Sequence, residues 1–83
     1  MDERDVRGLV VEVLSIIAPD GDYDSLEPAQ SLRRQLDLDS LDFMSYVEML
    51  SERTGAPIHE EEYPLVDTLD GCVTLLAPTG PAR

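Results

Sequence analysis

The sequence predicts an all-α domain. Apolar residues recur at spacings of three and four in two long segments, a third and shorter apolar segment follows a threonine suited to capping, and nothing alternates with period two for long enough to demand a strand. The expected architecture is three main helices plus a short fourth, with a long loop between the first and the second.

The first helix is marked over 5–18 by Val6, Leu9, Val10, Val13, Leu14, Ile16 and Ile17. Asp2, Glu3 and Asp5 complement the partial positive charge of its N-terminus, and Pro19 disfavours helical geometry at Ala18, so both ends are signalled. Gly8 weakens it slightly. Residues 19–39 carry Pro19, Gly21 and Pro28 among acids, with Leu26, Leu32, Leu36 and Leu38 as the strong apolar anchors. Such a length of irregular chain in a small domain is either functional or pinned to the core at those leucines, and 31–36 has room for one helical turn.

The second long helix is expected over 40–54. Leu41, Met44, Val47 and Leu50 fall at steps of three, supplemented by Phe43, Tyr46 and Met49, and Gly55 then Pro57 supply the stop. Val47 and Leu50 are assigned to the core. Ile58 is an isolated anchor, 60–63 suits one turn before Pro64, and Thr68 is a natural N-cap for a last helix that buries Leu69, Cys72, Val73 and Leu76. Residues 78–83, rich in Pro and Gly, form an expected frayed tail outside a single domain spanning 1–77.

Bulk properties narrow the function. With 83 residues there is material for one modest core. Eighteen acids against six arginines give a formal charge of −12, which repels phosphate backbones and anionic headgroups. Nucleic acid and membrane are therefore excluded as partners, and a basic protein surface is the natural complement. Nine of the acids lie within 37–67 against one base, Arg53, so the partner-facing side is expected there. A lone cysteine, Cys72, allows no intrachain disulfide, and the opening MDERDVRG lacks the cationic start of a signal peptide, so a monomer in the cytoplasm is expected.

Among candidate sites, Asp20, Asp22 and Asp24 have the alternate spacing of a calcium loop. Yet Ser25 stands where such a loop needs glycine and Ser31 where it needs a bidentate glutamate, so no metal site is assigned. His59 and Cys72 have no catalytic companions in so short a chain, His59 reading as a loop residue and Cys72 as a small buried hydrophobe. No catalytic residue is assigned and no enzyme activity expected. That leaves Ser40. Asp39 or Ser40 suffices to cap a helix, but capping does not account for a serine set among Asp37, Asp39 and Asp42 with Leu36, Leu38 and Leu41 between them.

Asp39-Ser40-Leu41, preceded by Leu36 and followed by an acidic amphipathic helix with Met44, resembles the modification motif of the acyl and peptidyl carrier proteins. The likeness runs from the first helix through Leu76. It implies a small four-helix carrier bundle in which Ser40 is esterified by phosphopantetheine taken from coenzyme A. It also implies three partners: a basic phosphopantetheinyl transferase, a ligase that loads an acyl or amino acid unit, and a downstream acceptor enzyme. The second long helix becomes the docking helix, with Leu41, Met44 and Tyr46 as apolar contacts and Asp39, Asp42, Glu48 and Glu52 meeting basic groups. Against the fatty-acid branch of the family, Asp37 replaces a usual glycine, Ser45 a common acid, and Arg33 and Arg34 an often acidic site, which implies a specialised carrier. Residues 37–43, Glu62-Tyr63-Pro64 and 68–73 are similar to small bacterial carriers loaded with amino acids by ligases related to seryl-tRNA synthetases. The rival reading from another class is an acidic helical adaptor that binds a basic protein without covalent cargo.

Overall fold

The computed structural model describes residues 2–77, all of its regular structure helical. The tail expected at 78–83 lies outside the described residues. Five α-helices follow in order: α1 Glu3–Ile17, α2 Leu32–Gln35, α3 Ser40–Thr54, α4 Tyr63–Val66 and α5 Leu69–Leu76. Single 3₁₀ turns occupy Tyr23–Ser25 and Glu60–Glu62. The three main helices are those the periodicity predicts, and α1 packs against both α3 and α5 while α4 lies against α5. No helix among the described residues is long and apolar enough to cross a membrane.

The helix ends follow local chemistry. Asp2 caps α1 in a reciprocal capping box with Asp5, and Thr68 caps α5 by accepting the Gly71 amide at 2.9 Å. Gly55 ends α3 in the left-handed conformation, φ 72°, which costs glycine nothing. The single turn expected before Pro64 is present at Glu60–Glu62, and Pro64 itself sits in the first turn of α4. A helix's opening amides have no intrahelical acceptor, so the missing proline N–H removes nothing there.

The core is made by Val6, Val10, Val13 and Leu14 of α1, Phe43, Tyr46, Val47 and Leu50 of α3, Val66, and Leu69 and Cys72 of α5. Leu32 and Leu38 are buried and Leu26 and Leu36 half-buried against them, so the 19–39 connection is pinned by leucines as expected. It is also held by polar ties that its sequence does not announce. The Tyr23 hydroxyl lies between the carbonyls of Leu14 and Ala18 at the end of α1. The Gln35 side chain accepts from the Glu27 amide at 2.7 Å and donates to the Glu27 and Gln30 carbonyls. Ile16, at 55% exposure, falls outside the buried stripe.

One polar cluster lies inside this apolar core. Tyr46, fully buried, donates its hydroxyl to the Val66 carbonyl at 2.7 Å, and its oxygen lies 3.0 Å from Cys72 Sγ. The Cys72 thiol donates to the same Val66 carbonyl at 3.3 Å, so the phenol and the sulfur lie side by side on one acceptor. Burial pushes the Cys72 thiol up to about 11, aided by the Asp67 carboxylate and opposed by the Tyr46 hydrogen bond, and burial likewise raises Tyr46 well above its ordinary value. The same region explains Gly71: a Cβ there would lie 1.7 Å from the Leu65 carbonyl oxygen, so α5 meets the end of α4 only through glycine.

Two outcomes follow. Tyr46→Phe leaves the Val66 carbonyl with only the weaker thiol donor and should lower unfolding free energy by about 1–2 kcal/mol, against about 3–5 kcal/mol for Tyr46→Ala, as measured by urea denaturation. A thiol raised in the folded state contributes stability that is complete below its unfolded value near 9 and is lost as pH climbs to about 11. Denaturation midpoints should therefore fall through that window, with Cys72→Ala removing about 2–3 kcal/mol of the fall and the raised Tyr23 and Tyr46 sustaining the remainder.

Candidate functional site

The chain enters α3 through Asp37, Leu38 and Asp39. Asp37 has φ 55°, the left-handed region that glycine favours and that short polar side chains tolerate better than other residues. What reads in sequence as a departure from a glycine position thus keeps the backbone shape that the glycine would supply. Leu38, 8% exposed, plugs into the core and fixes the loop just before the helix.

Asp39, not Ser40, is the cap. Its carboxylate accepts the Asp42 amide at 2.8 Å and the Asp42 carboxylate reaches back to the Asp39 amide, a second capping box. Ser40 is the first helical residue, exposed, and its hydroxyl enters none of the side-chain hydrogen bonds among the described residues. The amides of Ser40 and Leu41 likewise have no intramolecular acceptor among those residues, and they sit at the positive end of a fifteen-residue helix dipole. The arrangement offers a free nucleophilic oxygen beside two unused N–H donors.

Of the other residues singled out by sequence, Leu41 is 79% and Met44 40% exposed, so both present apolar area to solvent. Glu48 and Glu52 are exposed and Asp42 half-buried. Steps of three and four from Leu41 through Met44 and Glu48 to Glu52 place these four along one side of α3. Tyr46 is the correction. Expected as a partner contact, it points inward, because its ring fills the centre of the core and its hydroxyl is committed to Val66 and Cys72. Asp20, Asp22 and Asp24 belong to the connection after α1, and no group of three metal-ligating side chains converges among the described residues.

Beside Ser40 lies an open cleft of about 470 Å³, lined by Arg33, Ser40, Phe43, Met44, Glu60, Tyr63, Pro64 and Asp67. Its floor is aromatic: the Phe43 ring meets Tyr46 at 5.7 Å and Tyr63 edge-on at 6.0 Å. Asp67 organises its rim, accepting the Ser31 hydroxyl at 2.7 Å and the Arg33 amide at 3.0 Å, while its carbonyl accepts the Leu32 amide. No periodicity brings residues 33, 43 and 63 together, so this cleft was not legible in the sequence.

A family model described as the phosphopantetheine attachment site matches residues 4–71, most of the chain and all of the elements that build this site. The chain belongs to that family. Members carry a covalently attached phosphopantetheine and act as carriers served by a phosphopantetheinyl transferase and further partner enzymes, not as catalysts in their own right. A comparison with curated proteins returns no match. The residues here suit the group: the N-terminus of α3 presents a hydroxyl to esterify and unpaired amides for a phosphodiester anion.

The loop geometry yields a test. Asp37→Gly should be neutral or stabilising by up to about 1 kcal/mol, whereas Asp37→Val, forcing a β-branched residue into the left-handed region, should cost about 1–2 kcal/mol or more in thermal or urea unfolding.

Proposed function

We propose that Ser40 is the residue esterified by phosphopantetheine and that the domain carries a small acyl or aminoacyl unit, an amino acid in the first instance, between a loading ligase and an acceptor enzyme. The observation that carries the attachment reading is the division of labour at the start of α3: Asp39 and Asp42 do the capping, leaving Ser40 exposed and unbonded. When bound, the group supplies a terminal thiol that holds the cargo as a thioester. Ser40 contributes the oxygen that becomes part of the phosphodiester, and the amides of Ser40 and Leu41 stabilise the resulting anion.

The small-cargo reading is supported by the core. Tyr46 fills the centre of the core and is tied to the Val66 carbonyl, so a long alkyl chain seated there would disturb this bond and the packing around it. An amino acid makes no such demand. The likeness of 37–43, Glu62-Tyr63-Pro64 and 68–73 to carriers loaded by seryl-tRNA-synthetase-like ligases points the same way. Partners dock on the exposed side of α3, where Leu41 and Met44 supply apolar area and Asp39, Asp42, Glu48 and Glu52 steer basic surfaces. The reducing interior suggested by a lone, buried Cys72 fits a cytoplasmic site of action.

Incubation with coenzyme A and a broad-specificity phosphopantetheinyl transferase should add the mass of one arm to the wild type and none to Ser40→Ala; an unmodified wild type contradicts the reading. In the same assay Leu41→Asp and Glu48→Arg should leave stability within about 0.5 kcal/mol, since neither side chain is buried, yet slow modification and change its dependence on salt.

A further inference from the structure

The cleft beside Ser40 is lined by one cation, Arg33, and what sets it apart is an aromatic partner. Arg7 pairs with Glu3 and Asp70, and Arg53 pairs with Glu12. Among the described residues Arg33, like Arg4 and Arg34, pairs with no carboxylate, although Glu60 and Asp67 line the same cleft. Asp67 is already occupied by the Ser31 hydroxyl and by the backbone amide of Arg33 itself. The guanidinium instead lies over the Phe43 ring, its carbon 5.0 Å from the ring centroid. Stacking of this kind at an exposed site contributes about 0.5–1 kcal/mol and orients the guanidinium plane without using its N–H donors.

The result is a held cation with a free hydrogen-bonding fork, on the rim of the cleft that Ser40 shares. The charges within three residues of the serine are all negative: Asp37, Asp39 and Asp42. A phosphodiester placed on Ser40 would meet those three carboxylates with only the α3 amides to offset them. A guanidinium is the side chain best matched to two phosphate oxygens at once.

We propose that Arg33 binds the phosphodiester on Ser40, together with the unpaired amides of Ser40 and Leu41, and so fixes the root of the arm toward the cleft of Phe43, Met44 and Tyr63. This rests on Ser40 being the attachment residue. Arg33 is a positioning residue: it takes part in no bond making and sets the direction in which the arm leaves the domain. One of the two arginines that replace an often acidic site thereby acquires a ligand within its own chain.

The test is nuclear magnetic resonance on the apo and modified proteins, each first checked by intact mass. In the wild type the Arg33 Nε–H resonance should shift when the arm is attached, while that of Arg53 stays in place. The ³¹P resonance of modified Arg33→Gln should sharpen and move toward that of a free phosphodiester. Modified Arg34→Gln should match the wild type, and Arg33→Lys should recover part of the shift. An arm-bearing wild type whose Arg33 resonance does not move, or a ³¹P signal identical in wild type and Arg33→Gln, overturns the role of Arg33 alone. That includes the case in which Arg33→Gln only slows a partner enzyme. A wild type that gains no arm overturns the Ser40 reading and this inference with it.

Discussion

The corner formed by Val66 and Asp67, between α4 and α5, is the constraint on which the rest of the structure depends. Three helices send hydrogen bonds to these two residues. The α3 helix contributes the Tyr46 hydroxyl and α5 the Cys72 thiol, both to the Val66 carbonyl. The start of α2 contributes the Leu32 amide to the Asp67 carbonyl, and the Ser31 hydroxyl and Arg33 amide to the Asp67 carboxylate. A four-residue helix such as α2 has little stability of its own. Its place beside the N-terminus of α3, and hence the shape of the cleft around Ser40, follows from these bonds. Around the corner, apolar burial supplies most of the driving force, and the polar contacts decide which arrangement it stabilises.

The site uses a separation of tasks. A helix N-terminus needs an acceptor for its free amides and a carrier needs an exposed hydroxyl, and one serine cannot do both at once. Here Asp39 and Asp42 satisfy two amides between them, so the hydroxyl of Ser40 stays free and the next amides stay available to an anion. Asp37 serves the same end from the loop side, holding the left-handed turn that brings the chain into α3. The acids around the serine are thus structural and electrostatic together: two of them cap, one shapes the loop, and all three add to the negative field at the start of α3.

Much of this was legible in the sequence, for reasons that differ by element. The stripes Val6-Val10-Val13 and Phe43-Val47-Leu50 expose their helical period because each helix buries one face, and Gly55 and Thr68 mark helix ends through their own backbone and side-chain chemistry. Ser40 stood out because capping alone leaves its neighbours unexplained. Tyr46 was misread since a tyrosine on an amphipathic helix fits either face, and only the distant Val66 carbonyl decides which. The cleft, the Asp67 hub and the stacking of Arg33 on Phe43 join residues far apart along the chain, and no local pattern encodes such pairings. Asp37 looked like a loss where a glycine is usual; its backbone angle shows the conformation retained.

The central claim is that the covalent group sits on Ser40 and on no other hydroxyl. Arginines are the only cations, so trypsin releases residues 35–53 as one peptide carrying Ser40, Ser45 and Ser51. Fragmentation of that peptide from the modified protein is the most direct measurement. The account predicts that every fragment containing Ser40 carries the added mass and that fragments confined to 41–53 do not. Added mass on Ser45 or Ser51, or on a peptide outside 35–53, would contradict it.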